Sequence, residues 1–254
     1  MSSPLSVESL QEGSRLSAGL QHHGEVDPLA GSSWSTPQTV AGFAKSLPNA
    51  RLMQVAADEL KRRPGGRALD IGCGAARNAV PLARLGWRIV GTDLSWPMLA
   101  AARGRAHEEV PGDRLRVVQA PMIALPVRGG AFELVVAHGI WNLARSSDEF
   151  RAGLREAARA AAPGAMLFVF TFSRNTLPVE ALPVPGERFV FTQFSGEPQC
   201  FLTRAELLAE LGAAGFVPDA GVPLVEHNRP KPGMLSGGAP VIYEGGFRVD
   251  HSGR

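Results

Sequence analysis

The stretch Ala68-Leu69-Asp70-Ile71-Gly72-Cys73-Gly74-Ala75-Ala76-Arg77-Asn78 constrains this chain more than any other. Arg67 to Ile71 is an apolar run of strand length, and the glycines free the turn behind it for backbone angles and close approaches that a Cβ forbids. Asn78 to Leu85 reads as a helix closed by Gly86, and Trp87 to Thr92 as the next strand. Asp93 ends that strand about 20 residues past the turn, where a strand–helix–strand unit places a carboxylate against ribose hydroxyls. The segment therefore predicts a nucleoside-binding corner at the carboxyl ends of parallel strands.

Two cofactor classes use such a corner. A dinucleotide site takes Gly or Ala at the third fingerprint position, so that helix and strand pack closely; Arg77 stands there instead, which disfavours a nicotinamide-dependent oxidoreductase. The residues from Ala68 to Gly74 resemble the class I S-adenosylmethionine-dependent methyltransferases, whose first motif runs as hydrophobics followed by Asp-x-Gly-x-Gly. Gly72-Cys73-Gly74 with Arg77-Asn78 also resembles the thiopurine and tellurite-resistance branch of that family. The resemblance covers Arg67 to Phe172, and beyond Phe172 it rests on element order.

That resemblance implies an α/β fold with a Rossmann-like doubly wound sheet, mostly parallel with an antiparallel last strand, preceded by a helical cap. The alternation of elements agrees with it. Ser95 opens a helix to about Arg105 with Pro97 in its first turn, Leu115–Gln119 and Phe132–Ala137 read as strands, and Ala165–Phe172 as a fifth. Ser146 with Glu149, and Thr203 with Glu206, read as capping boxes; the first helix presents Phe150, Leu154, Ala157 and Ala161 before Pro163-Gly164. Closing strands fall near Pro223–Glu226 and Pro240–Val249. Residues 1–33, rich in Ser, Gly and Gln, read as a flexible N-terminus. The rest is one methyltransferase-like domain: a cap over 34–66, a cofactor-binding core over 67–172, a substrate-side insert over 173–202, and a closing helix and strands over 203–254. The insert carries four prolines with Phe189, Phe191 and Phe194, and is expected to form part of the substrate pocket as a strand pair.

Methyl transfer from a sulfonium is an in-line displacement with a neutral leaving group, so the protein must align the nucleophile and exclude water, and no metal is obligatory. Asp93 is assigned to the ribose, and Asp70 to the turn and the amino-acid end of the cofactor. Gly72 and Gly74 supply backbone approach, Cys73 fills space beneath, and Arg77 and Asn78 complete the motif. Relatives place an acid after the third strand to meet adenine, whereas Pro121 aligns there, so Met122 with Leu94 and Met98 is expected to pack the base. His138, after the fourth strand, is a candidate general base with a reference pKa near neutrality, or a backbone contact to the cofactor. Trp34, Trp141, Asn142 and Arg174 are the substrate-side candidates, Arg174 for a carboxylate; Phe43 joins Trp34 on the cap.

A net charge of +2, from 26 basic and 24 acidic side chains, gives no steer toward nucleic acid or an anionic membrane. No apolar run approaches membrane-spanning length, and no secretory pattern opens the sequence, so a cytoplasmic enzyme on a small molecule is expected. Cys73 and Cys200 are the only cysteines, which excludes a disulfide framework and a cysteine-rich zinc site, and His22-His23 lacks further ligands at metal spacing. The expected activity is methylation of N, O or S with S-adenosyl-L-methionine; the alternatives are an NAD-dependent oxidoreductase, or a non-catalytic or repurposed cofactor-binding protein on this fold.

Overall fold

The computed structural model describes residues 27–229 and 239–250. Most of the expected flexible N-terminus, His22 and His23 included, lies outside the described residues.

Two capped helices come first. Helix α1, Pro37–Lys45, starts where Thr36 accepts from the Thr39 amide, and α2, Ala50–Arg62, where Asn49 accepts from the Leu52 amide. Each cap satisfies an amide that the helix itself leaves without a partner. Strand β1, Arg67–Ile71, then leads through the glycine turn into α3, Ala79–Leu85, and β2, Arg88–Asp93. Helix α4, Trp96–Glu109, opens on the Ser95 cap and runs a turn beyond its expected end. Strands β3, Leu115–Gln119, and β4, Phe132–His138, follow, then α5, Ser147–Ala160, and β5, Ala161–Phe172. The insert forms the small antiparallel pair β6, Val190–Phe191, with β7, Gln199–Cys200. Helix α6, Arg204–Ala213, and strands β8, Phe216–Pro218, β9, Val225–His227, and β10, Ile242–Val249, close the chain.

Among the described residues the main sheet runs β3-β2-β1-β4-β5-β10-β8, with β9 also paired to β10. The first five strands are parallel, and β10 enters antiparallel to β5, β8 and β9. This is the doubly wound sheet with an antiparallel end that the sequence implied. Alternation along β1 assigns the layers: Leu69 and Ile71 pack with Phe150, Leu154, Leu207 and Leu211 of α5 and α6, while Ala68 packs with Leu52, Val80 and Ala102 of α2, α3 and α4. Asp70 shares Ala68's face and is buried beneath the cap.

Three local expectations need correction. Thr203 and Glu206 form the full capping box, but at α5 only the Ser146 half exists: Glu149 accepts from the Arg145 amide at 2.7 Å. Ala161 is not helical; it pairs with Phe132 as the first residue of β5. Strand β8 had no sequence signal, being three residues long and ending in Pro218, and it survives as a sheet edge. The cap is tied down from the far end of the sheet, where Arg248 of β10 donates to both oxygens of buried Glu59 on α2 and, from Nε, to Asp219 at 2.6 Å.

Candidate active site

The turn after β1 is built on left-handed backbone. Gly72 has φ 70° and Gly74 φ 53°, and Ala76, buried and non-glycine, also stands at φ 60°. A Cβ on Gly72 would lie 2.7 Å from Ile140, so the turn needs glycine for space as well as angle. Strain at Ala76 marks a conformation that its surroundings over-determine, as at many ligand sites. Cys73 is buried; burial and the neighbouring Asp70 and Asp93 charges push its thiol up, and its sulfur lies against Gly91. It fills space and has no thiolate chemistry to offer.

Asp93 closes the turn. Its Oδ2 accepts from the Gly74 amide at 2.8 Å and its Oδ1 from the Ser95 amide at 2.9 Å, which joins the glycine turn to the start of α4. A carboxylate has about four acceptor sites, so two remain for hydroxyl donors. Burial raises its pKa against the pull of those amides. Asp70 is more deeply enclosed: burial pushes its carboxyl up to about 7, opposed by Arg77 and reinforced by Asp93. Among the described residues its Oδ2 is buried without a hydrogen-bond partner. Asn78 does not cap α3 through its side chain; its Oδ1 accepts from the Asn49 amide at 3.0 Å and fastens the cap to the turn.

Over the turn, Phe43 and Met98 Sδ lie within 3.8 Å of the Cβ position of Gly74, and the Arg77 guanidinium lies 5.9 Å from the Phe43 ring centre. Trp34 meets Phe43 edge to face at 5.8 Å, and its carbonyl accepts from the Ser95 hydroxyl. Trp34 therefore packs on the cap beside Phe43 and the start of α4. Leu94 is half-buried and its carbonyl accepts from Gln119 Nε2 at 2.9 Å. Half-buried Pro121 opens a short turn, its carbonyl accepting from Ala124.

Four residues depart from the roles that the sequence suggested. Met122 belongs to the core on the α5 side with Trp141 and Phe150, not to a base pocket. Trp141 is 1% exposed in that same core, edge-on to Phe150, and walls no substrate. Arg174 spends Nη1 and Nη2 on the carbonyls of Leu177, Pro178, Val179 and Ala181 and lies over the Phe191 ring; it organises the insert and has no fork left for a substrate carboxylate. His138 is the fourth. Arg77 Nη2 lies 2.9 Å from its Nδ1 and Asn49 Nδ2 3.3 Å from its Nε2, so donors face both ring nitrogens. Burial and the Arg77 charge push its pKa down to about 3, far too low for a general base near neutrality. Asn142 stays a candidate, for its Oδ1 is buried without a partner among the described residues and lies near Gly139.

Sequence reasoning missed a polar row beside His138. His138 stacks on Phe170 at 4.1 Å, Phe170 pairs across the sheet with Glu244, and Asn49 Nδ2 donates to Glu244 Oε2 at 2.7 Å. Glu244 had one signal, a lone charge inside the apolar run Ile242–Phe247. Among the described residues no group of three or more His, Cys, Asp or Glu could hold a metal, and no helix is long and apolar enough to cross a membrane.

Residues 68–164 match the family model described as a methyltransferase domain. The chain is similar to demethylmenaquinone methyltransferase of Corynebacterium glutamicum, 36% identical over 47% of this chain and 47% of that protein. It thus spans about half the length of the first curated relatives that it matches. The demethylmenaquinone methyltransferase of Mycolicibacterium vanbaalenii is 32% identical over 63% of this chain and 72% of its own length. The chain belongs to the class I S-adenosylmethionine-dependent methyltransferases. In fold this methyltransferase is also similar to the Burkholderia thailandensis 1,6-didemethyltoxoflavin-N1-methyltransferase, solved with S-adenosylhomocysteine bound, at a TM-score of 0.57 and 20% identity over 78% of each chain. The family's cofactor is S-adenosylmethionine, so the nicotinamide alternative is not favoured.

Proposed function

We propose that this chain transfers the methyl group of S-adenosylmethionine to a small-molecule acceptor. The observation that carries the reading is the Asp93 carboxylate, fixed between the Gly74 and Ser95 amides with acceptor capacity to spare, beside the buried and unpartnered Oδ2 of Asp70. These residues fit the cofactor: Asp93 accepts the ribose hydroxyls, and Asp70 meets the amino-acid end directly or through water. Gly72, Cys73 and Gly74 let backbone approach the ligand, Arg77 and Asn78 hold the loop, and Leu94, Met98 and Phe43 enclose the nucleoside. When bound, the cofactor supplies an electrophilic methyl on a sulfonium. The chain's own part is to place the acceptor in line and keep water out.

In this reading residues 34–66 cap the cofactor, 67–172 hold it, 173–202 wall the acceptor side and 203–254 complete one domain. The acceptor is a free small molecule met in the cytoplasm, since a charge of +2 supplies no field to gather nucleic acid. Calorimetric titration with S-adenosylmethionine, S-adenosylhomocysteine and NAD tests the reading. The first two are expected to bind and NAD is not; binding of NAD alone, or of none, overturns it.

A further inference from the structure

The ring of His138 meets a donor at each nitrogen, and a neutral imidazole can accept at only one of them. A guanidinium has no acceptor to offer, so Arg77 Nη2, at 2.9 Å, fixes Nδ1 as the accepting nitrogen and leaves the ring proton on Nε2. Nε2 then faces Asn49 Nδ2 at 3.3 Å, and that amide cannot turn round. Its Oδ1 caps α2 by accepting from the Leu52 amide at 2.8 Å, and its Nδ2 donates to Glu244 Oε2 at 2.7 Å. Turning the imidazole over would take Nδ1 away from Arg77, and stacking on Phe170 at 4.1 Å holds its plane. Two N–H groups therefore face each other with no acceptor between them, one from His138 and the second amide hydrogen of Asn49. Both residues are half-buried, and unmet donors in such a position cost free energy until an oxygen enters between them.

Both donors are fastened to the glycine turn: Arg77 holds His138, and Asn78 Oδ1 accepts from the Asn49 amide at 3.0 Å. The charges around the pair favour an anion on balance. Among the described residues the Arg77 guanidinium makes one hydrogen bond, the one to His138, while the opposing charge of Glu244 is met by Asn49 and by Arg51 Nη1, 3.6 Å from Oε1. What the pair lacks is a base. Arg77 covers His138 Nδ1, burial and the Arg77 charge push the ring down to about 3, and Asn49 covers Glu244 Oε2. A phenol or an ammonium, with a reference pKa of about 10, would keep its proton beside such a pair, whereas a carboxylic acid, at about 4, arrives without one.

We propose that His138 Nε2–H and Asn49 Nδ2–H together bind a carboxylate of the acceptor and that the product is its methyl ester, an assignment that rests on the methyl-transfer reading above. One carboxylate oxygen accepts from both donors, and the other is left to attack. Its lone pair forms the new O–C bond as the C–S bond breaks with its electron pair kept by sulfur. A neutral thioether and a neutral ester result, and no proton is transferred. His138 and Asn49 are acceptor-binding residues in this scheme, and neither acts as a base.

The test uses the protein loaded with S-adenosylhomocysteine and isotopically labelled at the histidine nitrogens, with benzoate titrated in and NMR as the readout. His138 is expected to show a protonated Nε2 and an unprotonated Nδ1, and benzoate to shift the Nε2 resonance saturably; neither readout needs a variant. Asn49→Ser, which keeps a capping oxygen for α2, and His138→Leu are each expected to weaken benzoate by about tenfold, whereas His138→Gln, which keeps a donor, should stay within about threefold. With labelled S-adenosylmethionine, benzoate is expected to yield a methyl ester that alkali releases as methanol. A proton on Nδ1, no shift with benzoate, or unchanged affinity in both donor-removing variants overturns the carboxylate site. Benzoate that binds without forming the ester overturns the reaction assigned to it, whereas wild-type protein that fails to bind S-adenosylhomocysteine overturns the methyl-transfer reading beneath.

Discussion

Replacing Asp70 by Asn removes a titration without changing the shape of the side chain. Asp70 is 2% exposed, and burial raises its carboxyl from 3.8 to about 7 in the folded chain. A folded pKa above the unfolded one means that the native state holds this proton more tightly. The stability it contributes is full below about pH 4 and is lost as pH rises through about 7. At about 1.4 kcal/mol per pH unit, the loss across that window is at most about 4 kcal/mol. Asn cannot ionise and should lose none of it. Urea unfolding of wild type and Asp70→Asn, at several values from about pH 4.5 to 8.5, reads the difference directly. The variant is expected to gain on wild type by about 3–4 kcal/mol toward alkaline pH, with most of the change between about pH 5 and 7. A bound ammonium would favour the charged carboxylate, so cofactor binding below about pH 7 should release a proton, measurable by calorimetry in two buffers of different ionisation enthalpy. A stability difference that stays flat with pH would refute the claim that burial keeps Asp70 protonated.

The two turn glycines should respond unequally. Gly72→Ala adds a Cβ 2.7 Å from Ile140 at φ 70° and is expected to cost about 2–4 kcal/mol in urea unfolding, whereas Gly74→Ala, whose nearest neighbour is 3.7 Å away, should cost about 1–2; equal costs would contradict the packing described. Asp93→Ala removes the acceptor of two backbone amides as well as the proposed ribose contact, so a lowered unfolding midpoint worth about 2–4 kcal/mol should accompany loss of S-adenosylmethionine binding. Loss of binding at unchanged stability would show that those amides find other partners. For His138, carbon-detected NMR titration should find a ring that stays neutral to about pH 3, and His138→Gln should keep turnover within about tenfold. A drop of about 100-fold, rescued at no pH, would restore it as the base.

The glycine turn and Asp93 were legible because strand, turn and helix are local: Asp70, Gly72, Gly74 and Asp93 lie within one strand–helix–strand unit, and their spacing fixes where each falls. Thr203 and Glu206 were legible for the same reason, as a cap closes over three residues. Met122, Trp141 and Arg174 were misread because position after a strand does not say which layer a side chain enters, or whether its donors are already taken. Met122 and Trp141 turned to the α5 layer, and Arg174 turned back on its own loop.

The sequence by itself determined the alternation of elements, the left-handed turn and the carboxylate at the end of the second strand, since periodicity, glycine and local spacing act over a few residues. Only the tertiary structure decided what His138 can do and brought Glu244 to Asn49, 195 positions away in the chain. Burial and the approach of Arg77 set the proton affinity of that imidazole, and both come from elements that meet only when the sheet closes and the cap packs on it. Desolvation and charge act through space, and no spacing along the chain records them.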